Sequence, residues 1–129
     1  MVSTPEAMAG QVADTGVTAA EVDAVPFFHG FFRAPDRIGY WLNHAAPRGD
    51  DPDAVGRRVV AFSASLQDRS STRRRRYVCV THSPVMRAVL VRYLHTDPGE
   101  PEWVERIDLT FGPDGHTICF RDQRAPLGL

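Results

Sequence analysis

Apolar residues along the chain fall into blocks of different period. Val55, Val59, Phe62 and Leu66 recur at intervals that a 3.6-residue turn brings to one face. Ahead of them Asp51 can cap, Pro52 fits the first helical position and Asp53 suits the positive end of the dipole, which predicts a helix from about residue 52. Gly56 inside it costs about 1 kcal/mol relative to Ala. Residues 77–81 (YVCVT) form a short, β-branched apolar run of the kind found in a strand covered on both faces. His82, Ser83 and Pro84 follow at once. Val85, Met86, Val89, Leu90, Tyr93 and Leu94 then return to helical spacing, with Arg87 and Arg92 expected to face solvent. Further on, Ile107, Leu109 and Phe111 alternate, GPDG turns the chain, and Ile118 and Phe120 alternate again, which predicts a β-hairpin.

Other stretches are less regular. Residues 22–32 (VDAVPFFHGFF), interrupted by Pro26 and Gly30, read as a strand end and a buried loop whose Phe27, Phe28, Phe31 and Phe32 belong to a core. Tyr40 and Trp41 are expected to anchor packing. Residues 5–15 suit a short helix capped by Thr4, and residues 68–76 (DRSSTRRRR) a polar, basic, solvated turn. The order helix, strand, helix, hairpin indicates an α/β fold.

Composition narrows the class without naming a function. At 129 residues, 43% hydrophobic and 24% charged, the chain has the size and make-up of one folded domain, with residues 1–20 loosely ordered. A net charge of −1 gives no argument for nucleic acid or an anionic membrane as partner. No run approaches the ~20 apolar residues of a membrane span, and nothing near the start resembles a signal peptide, so a cytoplasmic protein is expected. Cys79 and Cys119 stand in apolar runs and are expected to be buried free thiols. The five histidines show no ligand spacing, so neither a metal nor another cofactor is expected.

The chemistry concentrates at residues 77–94. A strand ending in His82 and followed by a helix start places an imidazole beside unpaired N–H groups, where ligands of open α/β sheets gather and where phosphate is favoured. Pro84 contributes no N–H, but Ser83, Val85 and Met86 keep theirs. The run V-C-V-T-H-S-P-V-M-R-A-V-L, residues 78–90, resembles the second-histidine motif of the histidine phosphatase (phosphoglycerate mutase-like) superfamily. That motif is a hydrophobic strand ending in Thr/Ser-His, then a small residue and an Arg-containing helix. The preceding helix with Arg57 and Arg58, the polar loop and the final hairpin also follow the family's order. The resemblance covers residues 50–122 well and 20–50 loosely. It implies a three-layer α/β/α fold, a phosphate monoester as ligand, and for His82 the stabilisation of a phosphoryl group carried by a first histidine. Thr81 and Ser83, flanking His82, are the accompanying phosphate-binding candidates.

Departures from the family are equally clear. The Arg-His-Gly triplet that bears the nucleophile is absent, and its strand is expected to be missing from this chain. The single His-Gly pair, His29-Gly30, follows Phe28 and reads as a loop or core histidine. TPEAMAGQVA, residues 4–13, resembles a family motif but has Met8 where an arginine belongs, and could equally be an unrelated helix start. Pro26 stands at the offset of the general-acid Glu, with Glu21 and Asp23 nearby. The expectation is a partial histidine-phosphatase domain inactive in phosphomonoester hydrolysis as it stands. The alternatives are a non-catalytic binder of phosphate esters or proteins, or a piece of a longer phosphatase. An apolar strand at 77–81 without a neighbour would favour a homo-oligomer or a complementing chain.

Overall fold

The computed structural model of the chain describes residues 17–47, 49–67 and 73–128. They form a mixed α/β structure with five helices and a three-stranded antiparallel sheet, divided into two compact units, one ending at Gly49 and one running from Asp50 to Leu129. The predicted helix at 5–15 lies outside the described residues.

The first unit is helical where the sequence suggested strand and loop. α1 (Ala19–Ala24) starts at Thr18, whose hydroxyl accepts the Glu21 N–H at 3.2 Å. α2 (Pro26–Arg33) uses Pro26 as its opening residue, so that proline begins a helix instead of breaking a strand. Phe28 and Phe32 lie four apart and are buried with Val17 and Val22. Phe27 and Phe31, also four apart, stack with centroids 5.7 Å apart. The phenylalanines do form a core, but on a 3.6-residue period. α3 (Arg37–Asn43), capped by Asp36, lays Tyr40 against Phe27 and stacks it on His44. His29 is neither in a loop nor in the core; it is an exposed residue of α2.

In the second unit, α4 (Pro52–Ser65) is capped by Asp51, as predicted, and α5 (Ser83–Leu94) packs against it. The buried face of α4 is turned from the expected one. Gly56 and Val60 are buried, whereas Phe62 is exposed. Gly56 is there for closeness: a Cβ on it would stand 3.0 Å from the Ala88 carbonyl oxygen of α5 and 3.2 Å from the Arg92 Cβ. Its weak helix propensity is the cost of that contact. On α5 the prediction for Arg87 fails. It is 1% exposed and anchored by acids beyond the helix end, so only Arg92 of the pair faces solvent.

The hairpin is present as β1 (Asp108–Gly112) and β2 (Gly115–Phe120), with Leu109 opposite Ile118 and Gly112 opposite Gly115. Gly115, at φ +133°, takes a backbone conformation closed to other residues. A third strand, β3 (Gln123–Pro126), pairs with β2; it is short, ends in proline and occupies an edge. Ile118, Val60, Val89 and Leu127 form the core between helices and sheet.

The apolar run 77–81 is not a strand. It carries no sheet pairing, and no hydrogen bond among the described residues reaches it. Val78 is 86% exposed and Val80 96%, and Cys79, expected buried, is exposed as well. The physical reason is lack of a neighbour: the sheet of this unit is completed by β1–β3, and no described strand lies beside 77–81.

Candidate functional site: the N-terminus of α5

His82 is the N-cap of α5, with extended backbone at φ −132° and ψ 168°. Its ring makes no capping bond and no other hydrogen bond among the described residues. The first backbone bond of the helix is Met86 N–H to the His82 carbonyl at 3.2 Å. The Ser83 and Val85 N–H groups ahead of it carry no bond within the described residues, and Pro84 has none to offer. An exposed imidazole therefore stands beside two free backbone donors at the positive end of a 12-residue helix. Thr81 is exposed on one side of His82 and Ser83 half-buried on the other, so the three candidate residues are brought together by chain continuity alone.

Arg87, one turn into α5, is not part of this arrangement. Its Nε donates to Asp97 Oδ1 at 2.8 Å and its Nη2 to Asp97 Oδ2 at 2.7 Å, with Glu100 at 4.0 Å. This bidentate pair ties the segment after α5 back onto the helix. Sequence reasoning missed it, although D-P-G-E right after a helix carrying Arg87 and Arg92 was a usable sign of an acidic partner.

Beside the site, α4, the 77–81 segment and α5 enclose an open hollow of about 330 Å³. Val59, Phe62, Cys79 and Val85 supply its apolar wall, and Arg58, Ser63 and Thr81 its polar edge. Alternate residues of 77–81 thus behave differently: Cys79 and Thr81 border the hollow, whereas Val78 and Val80 are bare. Glu21 and Asp23, the general-acid candidates, lie on α1 in the other compact unit; Asp23 pairs with Arg33 at 3.3 Å. Arg74 and Arg76 of the basic run are exposed, and residues 68–72 lie outside the described residues. Among the described residues no group of three or more His, Cys, Asp or Glu could hold a metal ion, and no helix is long and apolar enough to cross a membrane.

Away from the site, Glu105 is held by Arg121 through two bonds of 2.5 and 2.8 Å. The Arg121 bonds first, and the Glu102 N–H second, lower its pKa to about 2. A carboxylate depressed in the folded state adds stability above its unfolded value, near 4.5, and loses it as pH falls through about 2. Glu105→Gln should therefore lower the melting temperature at pH 7, and the gap from wild type should close between about pH 4.5 and pH 2. Melts across that range read this directly, and a gap independent of pH would show that the pair contributes nothing as an ion pair.

Comparison with known families gives one result. The model of the histidine phosphatase superfamily (branch 1) matches residues 31–110, more than half of the chain. The chain belongs to the histidine phosphatase superfamily. The match spans the 77–94 segment and ends inside β1. No curated protein and no solved structure matches it.

Proposed function

We propose that the N-terminus of α5 is a phosphate-ester site in which His82 contacts a phosphoryl oxygen, the Ser83 and Val85 N–H groups complete the contact, and the Ser83 and Thr81 hydroxyls lie at its edge. The observation that carries this reading is the exposed His82 ring, unengaged by any described hydrogen bond beside two free helix N–H groups, in a chain of the histidine phosphatase superfamily. Superfamily members handle phosphate esters, and a helix start suits an anion. The second part of the proposal is that the chain as given binds without turning over. A phosphohistidine route needs a nucleophile, an electrostatic clamp and a proton donor. The sequence has no Arg-His-Gly, and the buried Arg87 is committed to carboxylates. The larger three-layer sheet of the family would enlist 77–81 as a strand once a neighbour is provided.

Two measurements test the two parts. Hydrolysis of p-nitrophenyl phosphate should stay at background, and a phosphohistidine on this polypeptide with turnover would overthrow the non-catalytic reading. Phosphate or vanadate at ten times its Kd should stabilise the fold by about 1.4 kcal/mol, several degrees in Tm, and His82→Ala should abolish the shift. No shift in the intact protein at millimolar ligand would return His82 to a purely structural role.

A further inference from the structure

Trp103 and Val104 are, with Val80, the most exposed large apolar residues described, at 96% and 98%. Their exposure is enforced. Val104 has φ +63°, a left-handed conformation costly for a β-branched residue. The turn is locked on both sides of it. Glu105 N–H donates to the Glu102 carbonyl at 3.2 Å, Glu102 N–H to Glu105 Oε1 at 2.9 Å, and Arg121 grips the Glu105 carboxylate. An indole and a valine thus stand on a turn whose backbone is already fixed, so covering them costs little backbone ordering.

The same compact unit carries an apolar depression. The hollow between α4, residues 79–81 and α5 is walled by Val59, Phe62, Cys79 and Val85; it is open, and its volume of about 330 Å³ is at the lower end of ligand clefts, roughly 300–1,000 Å³. Charge supplies one complementary pair: Glu102 adjoins Trp103, with the nearby Arg106 paired to Asp108, and Arg58 borders the hollow, with Arg74 and Arg76 preceding 77–81 in the chain. Arg58 is engaged by Asp50 at 2.8 Å, but that pair is exposed on both sides and worth little, so exchanging the partner costs little.

We propose that this chain self-associates head to tail, Trp103 of one copy entering the Val59–Phe62–Cys79–Val85 hollow of the next while Glu102 meets Arg58. The turn and the hollow are different patches of one surface. The contact is therefore heterologous, and repeats into a ring or an open chain. One aromatic and one valine bury little area, which places the contact among small, transient interfaces below about 1,200 Å². Association is accordingly weak and concentration-dependent.

Sedimentation over a concentration series into the high micromolar range tests this with two variants. Trp103→Ala removes the knob, and Phe62→Glu blocks the hollow; both positions are exposed, and thermal melts check that both variants fold. The wild-type average mass should rise with concentration. Each variant alone should remain monomeric. An equimolar mixture should form 1:1 dimers and nothing larger, because it holds one intact knob and one intact hollow. A wild type that stays monomeric, a Trp103→Ala chain that still associates, as strand pairing through 77–81 would allow, or a mixture that fails to dimerise overturns the proposal.

Discussion

Asp97→Ala should destabilise the unit from Asp50 onward by about 3 kcal/mol, the lower part of the range for removing one partner of a buried ion pair. The reason is asymmetric burial. The Arg87 side chain is 1% exposed, whereas Asp97 is 28% exposed. Removing the carboxylate takes two short charge-assisted bonds from a guanidinium held in the core, where desolvation of the charge is costly. Glu100, at 4.0 Å, softens the loss but does not reproduce the two short bonds. Removing the other partner is milder. Arg87→Met leaves an apolar chain in an apolar place and returns Asp97 to a partly wet position, so it should cost clearly less. Denaturant unfolding of the two variants gives the comparison. Equal losses would mean that burial of Arg87 is not what the pair serves.

Ile118→Ala should cost about 4 kcal/mol, within the range of roughly 2–5 for truncating a buried aliphatic side chain. Ile118 is fully buried at the middle of the central strand β2, opposite Leu109 of β1 and Ala125 of β3, and it shares its cluster with Val60 of α4 and Val89 of α5. It therefore touches both layers, and the surrounding side chains are fixed by a sheet on one side and two helices on the other. Such a cavity collapses poorly. A measured loss under about 1.5 kcal/mol would show that the two layers can close over the gap.

Periodicity made the presence of α4, α5 and the hairpin legible, though not which face of α4 is buried, because their ends and turns carry the residues their geometry needs. Asp51-Pro52 and G-P-D-G are local signals that no distant contact has to supply. α1 and α2 were misread because Pro26 and four phenylalanines look like an interrupted apolar strand. Their pairing at 27/31 and 28/32 was the helical sign. β3 was hidden by its composition, since Q-R-A-P has little strand character and pairs because β2 lies beside it. Arg87 was misplaced for a different reason: whether a charged residue on a helix is buried depends on whether an acid reaches it, and Asp97 does so from beyond the helix end. The helix start just after His82 was readable, as was the superfamily to which the chain belongs. The exposure of 77–81 was not, since an apolar run states what a strand would require and not whether its neighbours are present.

The sheet joins its strands in chain order, β1 beside β2 beside β3, through turns of two residues. Closing such short loops costs little chain entropy, so the three strands can pair early during folding, before α4 and α5 have met across the longer connection between them. Residues 77–81 stand at the opposite extreme. Among the described residues none nearby in sequence pairs with them, so a strand from a distant segment or a second chain would have to reach them by a long loop closure or by association, a slower step than closing the two-residue turns of the sheet.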